Sequence, residues 1–374
     1  MASLRRPKRL TIHGDDERDA PFLVKGGEDL RLDERIEQLF EIMNAAFRAD
    51  AACARARLAV KTYQVIPMTH QLGVLQWVTD TAPLRAIVET QLTLDPAYLR
   101  RYQDHFLAMA PSPQAFLTVR AAFARSLAVF NVCAYIVGIG DRHLDNFLLD
   151  LTTGAVVGID FGAAFGFATS HLPVPELIPF RLTRQLRGAL APLDAVGLMR
   201  DHMCAAARAL RAAGEGLLNA MDVFLHEPIL DWAGGVKRSQ DDVKAELSSG
   251  SDVVDLISMP SAGADSIGGG GGGGSAYSSE ARRKVGNARA KLAGAHPSAV
   301  VVADLEHNAA VAKFKSLAAW SAVAWGEGSG AARAGAAHCG AATLSAAAQV
   351  DCLIDLATDP DVLGRAWIGL ALWL

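Results

Sequence analysis

Residues 138–166 read GIGDRHLDNFLLDLTTGAVVGIDFGAAFG. Asp141, Arg142, His143 and Asn146 stand near its start, Thr152 to Gly154 supply a turn, and the apolar run Val156 to Ile159 leads into Asp160, Phe161 and Gly162. Apolar runs on either side of a Thr-Thr-Gly turn predict a short hairpin. Phosphoryl transfer needs a carboxylate near the attacking hydroxyl, plus an amide and a second carboxylate to hold the Mg²⁺ that bridges the nucleotide phosphates. Asp141, Asn146 and Asp160 are those groups. Singly, each aspartate also suits a surface turn and His143 a loop histidine; the combination at this spacing is what points to chemistry.

A loop carrying D-R-H-x-x-N, then a hairpin, then D-F-G, is the kinase arrangement of catalytic loop and metal loop. Ordinary protein kinases read H-R-D in the first triplet; here the order is reversed. Asp141-Arg142-His143 with Asn146 resembles the phosphatidylinositol-3-kinase-related protein kinases and their lipid-kinase cousins. The resemblance implies an α+β, bilobal protein-kinase-like fold of the PI3/PI4-kinase type, with a small β-rich N-lobe and a helical C-lobe.

The chain has 374 residues, half of them apolar, which is enough for two domains or one bilobal domain with attachments. A net charge of −4 gives no global signature for binding polyanions. Cys53, Cys133, Cys204, Cys339 and Cys352 lie far apart with no CxxC pair, which reads as reduced thiols. The basic N-terminus has no apolar run behind it, so it is no signal peptide. The most apolar uncharged run, Ser126 to Gly140, is shorter than a membrane span needs, so no membrane partner is expected.

Upstream, MASLRRPKRLTI resembles the segment that covers the nucleotide phosphates in this family, which implies that Ser3 and Arg5 lie near them. The resemblance implies a strand ahead of that segment, and none is expected within residues 1–12. In FLVKGGEDL, residues 22–30, a strand ends in Lys25, and a lysine so placed can reach the α/β-phosphates with an acidic partner behind it. Glu28 and Asp33 are the candidates, although both also suit the start of a helix. Residues 32–48 place Ile36, Leu39, Phe40 and Met43 on one helical face. Two strands follow, at 63–68 and 73–78, in the arrangement of a kinase hinge. An isolated Trp is usually core, but the position of Trp77 in sequence favours the adenine, with Val78 offering backbone hydrogen bonds. Tyr63, Leu148 and Ile159 complete the expected adenine and ribose site.

Residues 89–115 are shorter than the helical segment the family places between hinge and catalytic loop. A helix is expected from Ala115 to Val137. Between Phe165 and Phe180 there is no Lys or Arg, whereas a phosphoinositide kinase needs basic residues there for a phosphorylated headgroup. The run PVPELIPFRLTRQ, 173–185, is similar to a protein-kinase member of the family. Residues 249–279 are low-complexity, with seven glycines at 268–274, and should form a flexible linker. A helix at 346–357, stopped by Asp359-Pro360, begins a segment similar to the FATC tail, although Leu370 and Leu374 depart from that pattern.

The expected organisation is an N-lobe and hinge at 1–80, a C-lobe with catalytic and activation loops at 81–235, a linker region at 236–343 and a FATC domain at 344–374. The resemblance implies an ATP-dependent, non-specific serine/threonine protein kinase using Mg²⁺ or Mn²⁺, with Ser-Gln and Thr-Gln sites as substrates. It implies Asp141, His143 and Lys25 as catalytic residues, Asn146 and Asp160 as metal ligands, and Ser3, Arg5, Lys25, Glu28, Asp33, Tyr63, Trp77, Val78, Leu148 and Ile159 around ATP. Nuclear location, double-strand break repair by non-homologous end joining, and the Ku heterodimer and DNA ends as partners follow from the same resemblance. A silent scaffold or fragment of the family, and a phosphoinositide lipid kinase, are the alternatives.

Overall fold

The computed structural model describes residues 7–89, 101–172, 175–226, 273–308 and 343–363. In the N-terminal lobe, β1 (Lys8–His13), β2 (Asp19–Gly26), β3 (Val65–Thr69) and β4 (Leu72–Gln76) form an antiparallel sheet in the order β1-β2-β4-β3. Lys25 pairs with Gly73 across β2 and β4, and Val65 with Leu75 across β3 and β4. The spacing of Ile36, Leu39, Phe40, Met43 and Phe47 makes one face of α1 (Arg31–Ala49) apolar, and all five are buried. The Asn44 side chain then donates to the Val60 carbonyl at 2.9 Å and accepts from the Val60 N–H at 2.8 Å, tying α1 to the chain that enters β3. Between them lies the short helix α2 (Ala51–Ala56), capped by Asp50.

Two elements start earlier or later than expected. The strand holding Lys25 begins at Asp19 and is over by Gly26, because Gly27 takes φ +79° and turns the chain toward α1. Tyr63 lies just before β3 and not within it.

After β5 (Thr81–Pro83) come α3 (Leu84–Glu89), α4 (Arg101–Met109) and α5 (Pro113–Val137). Ser112 caps α5 by accepting from the Ala115 N–H, Pro113 opens it, and Gly138 ends it in the left-handed region. Nearly every residue from Val119 onward is buried, so α5 is the axis of the second lobe. It is the described helix that is long and apolar enough to cross a membrane, and here neighbouring helices cover it. Tyr102 stacks on Phe123, and Phe106 meets the same ring at a tilt, where α4 meets α5; residues 90–100 lie outside the described residues.

The hairpin of β6 (Phe147–Asp150) and β7 (Val156–Gly158) pairs with β5 in an antiparallel sheet, β5-β6-β7. Its turn is held by Asp150 Oδ1, which accepts from the N–H groups of Thr152 and Thr153 and the Thr152 hydroxyl. Asp150 Oδ2 meets Lys61 Nζ at 2.7 Å, joining the hairpin to the first lobe.

The lower helices are α6 (Phe167–Ser170), α7 (Arg184–Leu190), α8 (Asp194–Leu198), α9 (Arg200–Ala212) and α10 (Gly214–His226). Then come α11 (Gly273–Ala293), α12 (Pro297–Leu305), α13 (Ala346–Thr358) and α14 (Pro360–Leu363). The expected linker is narrower than residues 236–343: α11 starts inside the glycine run and packs on α5, α9 and α10, and α12 packs on α6 and α13. Ala281, Ala288, Leu292, Val300 and Leu305 provide the apolar face that the glycines lack. The rest of the polyglycine segment lies outside the described residues.

Tail helix α13 buries Val350, Leu353, Ile354 and Ala357 against α9 and α12. Its buried Gln349 accepts from Arg211 Nη2 at 2.9 Å and donates to the carbonyls of Lys291 and Ala295 at 3.0 and 2.8 Å. Gln349→Ala removes partners from buried groups on two other helices, which costs about 1–3 kcal/mol. Denaturant titration should show that loss, and an unchanged midpoint would mean the tail does not dock through this amide.

Candidate active site

The segment from Gly138 to Phe161 folds around one guanidinium. Arg142 is 4% exposed and donates to four backbone carbonyls: Nε to Gly140 at 2.9 Å, Nη1 to Ile159 at 2.8 Å and to Asn146 at 3.5 Å, and Nη2 to Asp160. The Phe147 and Phe161 rings lie against its Cζ at 5.9 and 5.5 Å. This cross-link places Asp141 on one side of it and Asp160 on the other. Both aspartates take left-handed backbone, with φ +55° and +59°, which a non-glycine residue adopts at some cost.

Asp141 is exposed. Asn146 is buried; its amide nitrogen donates to the Asp141 carbonyl at 2.8 Å, leaving the amide oxygen outside that bond. His143 is two-thirds buried, with Nδ1 3.9 Å from Asp145 Oδ2. Asp160 stands open to solvent. Its carboxyl titrates below the usual range: crowding by protein pushes it up, but the Lys25 and Arg142 charges overcome that.

The two acidic candidates behind Lys25 separate. Glu28 Oε1 lies 3.5 Å from Lys25 Nζ. Asp33 Oδ1 instead accepts the Phe161 N–H at 3.0 Å, gripping the D-F-G turn from α1. Burial opposes the charge of Lys25, yet Asp160, Glu28 and Asp33 raise its pKa, so it stays an ammonium. Burial and the nearby Asp160 charge push Asp33 up to about 6.

Tyr63 is buried with its ring stacked on Phe161, centroids 6.4 Å apart, so it supports the D-F-G phenylalanine from behind. Trp77 is half-buried; its N–H donates to the Pro21 carbonyl at 2.9 Å, and the Arg9 guanidinium covers one face of its ring at 5.0 Å. The Val78 carbonyl accepts from the Thr81 hydroxyl at 2.9 Å. Leu148 and Ile159 are partly buried on the hairpin next to the site. Ser3 and Arg5 lie outside the described residues.

Three residues of the site were not legible in the sequence. Glu37 is 6% exposed beside Tyr63, its Oε2 accepting the Tyr63 N–H at 3.3 Å and its Oε1 buried without a protein partner. Burial pushes its pKa up to about 9, so it is a neutral acid at pH 7. Glu176 and Arg181, in the segment after α6, reach back to the catalytic loop: Glu176 Oε1 accepts the Asp141 N–H at 3.1 Å. An acidic residue at a helical core position was the available signal for Glu37. Nothing local marks the other two.

Residues 19–234 match the phosphatidylinositol 3- and 4-kinase family, and residues 343–370 match the FATC domain. The chain is 37% identical to the DNA-dependent protein kinase catalytic subunits of Dictyostelium discoideum and Xenopus laevis, over 99% and 100% of its length but 9% and 10% of theirs. It is 32% identical to the serine/threonine-protein kinase tor1 of Schizosaccharomyces pombe over 62% of its own length and 11% of that protein's. Among solved structures, the FAT and kinase domain of CtTel1 superposes with TM-score 0.62 at 24% identity, covering 98% of this chain and 23% of that one.

Because the folded pKa of Glu37 lies above its ordinary 4.5, folding holds its proton more tightly than the unfolded chain does. The stability this contributes is present below pH 4.5 and is lost as pH rises toward 9. Glu37→Gln should therefore flatten the decline in stability across that window and raise stability at pH 8 by about 1 kcal/mol or more. Unfolding curves at pH 5 and pH 8 check this; parallel pH profiles for the two proteins would contradict it.

Proposed function

Because the chain belongs to the phosphatidylinositol 3- and 4-kinase family and carries a FATC domain, we propose that it is an ATP-dependent serine/threonine protein kinase of the DNA-damage-response type. The observation that supports this reading is the cross-link through Arg142, which ties the loop of Asp141 and Asn146 to the chain leading into Asp160, on which the Lys25 charge acts. The names of its most similar relatives supply the protein-kinase class. The chain spans about a tenth of the length of those curated relatives, so nuclear location, action at DNA ends with the Ku heterodimer, and Ser-Gln or Thr-Gln substrates are part of this proposal.

Asp141, solvent-facing, orients the substrate hydroxyl and takes its proton as the new bond forms. His143 lies two residues on and hydrogen-bonds the γ-phosphate as charge develops. Lys25, kept charged by the acids around it, holds the phosphates, with Glu28 fixing its ammonium. Trp77 offers its ring and Val78 its N–H to the adenine. The donor set suits a hard cation: the ionised Asp160 carboxylate and the Asn146 amide oxygen would hold Mg²⁺ or Mn²⁺, which neutralises charge on the phosphates when bound. Asp33 and Tyr63 act one layer back, by fixing Phe161.

The segment from Phe165 to Phe180 has no Lys or Arg to meet an anionic headgroup, which disfavours a phosphoinositide substrate. In a test with radiolabelled ATP and Mg²⁺, a Ser-Gln peptide should be labelled and phosphoinositide vesicles should not. Asp160→Ala, or chelation of the metal, should lower peptide labelling at least about 100-fold. Full activity in Asp160→Ala would refute the reading, and labelled vesicles would replace it with the lipid-kinase one.

A further inference from the structure

Asp141 sits in a backbone conformation that needs outside support, and two side chains supply it. Asn146 takes its carbonyl, and Glu176 Oε1 takes its N–H at 3.1 Å. Glu176 lies 35 residues away in the activation segment. The contact is closely fitted: a Cβ on Gly140 would stand 2.8 Å from Glu176 Oε2 and 2.3 Å from the Ala168 Cβ. Only a glycine before Asp141 lets the glutamate approach.

Glu176 is itself held in place. Its N–H donates to the Ala168 carbonyl at 3.2 Å, and its carbonyl accepts from the Thr169 hydroxyl at 2.7 Å. Arg181 Nη2 lies 4.0 Å from its Oε1; Arg181 is 8% exposed, and its Nη1 is buried without a protein partner. The segment around the pair is stapled from the C-terminal helices. Asn308 donates to the carbonyls of Thr169 and Leu172 at 2.8 and 3.0 Å, and the Leu182 N–H donates to the Ala357 carbonyl of α13 at 2.9 Å. Burial raises the pKa of Glu176, opposed by Arg181, as expected of a carboxylate kept for its geometry.

We propose that Glu176, backed by Arg181, is a positioning residue for Asp141, so that the aim of the catalytic carboxylate depends on an ordered activation segment. The inference rests on the kinase reading above. What matters is the reach of the Glu176 oxygen to the Asp141 N–H, and not the charge alone. An acceptor withdrawn by one methylene cannot make that bond, while a neutral acceptor of full length can.

The test compares the full chain with Glu176→Gln, Glu176→Asp and Glu176→Ala, measuring kcat, KM for ATP, and hydrogen exchange across residues 138–146. The expected order of kcat is wild type and Gln together, with Asp and Ala about 10- to 100-fold lower. KM for ATP should be unchanged, and exchange in the loop should be faster in Asp and Ala only. The reverse order, with Asp retaining activity and Gln losing it, would overturn the proposal in favour of a simple ion pair with Arg181. Exchange unchanged in Asp and Ala would also overturn it. Should the wild-type chain transfer no phosphate, the kinase reading fails, and the exchange pattern still decides whether Glu176 positions the loop.

Discussion

A buried guanidinium is the interaction on which the site depends. Taking an arginine charge out of water is expensive unless its donors are matched. Arg142 meets that condition by donating to the carbonyls of Gly140, Ile159 and Asp160, while Asp160, Asp141 and Glu176 counter the pull of burial on its pKa. The carbonyls it binds belong to two loops separated by a hairpin. Satisfying the charge therefore requires the two loops to meet, with the Asp141 and Asp160 charges both acting on Arg142.

The same logic extends outward in layers. Asp33 grips the Phe161 N–H from α1, and Tyr63 and Phe40 pack on the Phe161 ring, so the first lobe holds the D-F-G turn through a backbone bond and aromatic contacts. From the other side, Glu176 grips the Asp141 N–H, and the activation segment carrying it is pinned by Asn308 and Ala357. The C-terminal part of the chain thus supports the segment that holds the Asp141 N–H. Gln349 serves as the joint, with its side chain between α9 and α11.

Local signals in the sequence were strong enough to place the hairpin, helix α1, helix α5 and the tail helix, because each rests on periodicity or turn chemistry within a few residues. Asp141, Asn146, Asp160 and Lys25 were singled out by short motifs, and the structure sets the Asn146 amide on the Asp141 carbonyl and Glu28 beside Lys25. The structure adds what pairs across the chain: Phe161 with Asp33 is a separation of 128 residues, and Gln349 with Tyr135 one of 214. No spacing rule reaches that far. This is why Glu28 and Asp33 looked equivalent beside Lys25 although they hold different partners, and why Glu176 read only as part of a loop. The linker expectation overreached at 273–279 because composition marks what cannot form a core alone. It does not register a helix whose downstream face, from Ala281 to Leu292, is buried by other helices.

On the proposed reading, this chain assembles a working phosphoryl-transfer site around Arg142. Its most direct test is the rate of γ-phosphate transfer from ATP to a Ser-Gln peptide by the purified chain and by Asp141→Asn, which keeps the side chain's shape and removes its basicity. The wild type should transfer phosphate, and the variant should lose about 100-fold or more of that rate. Equal rates in the two proteins would contradict it.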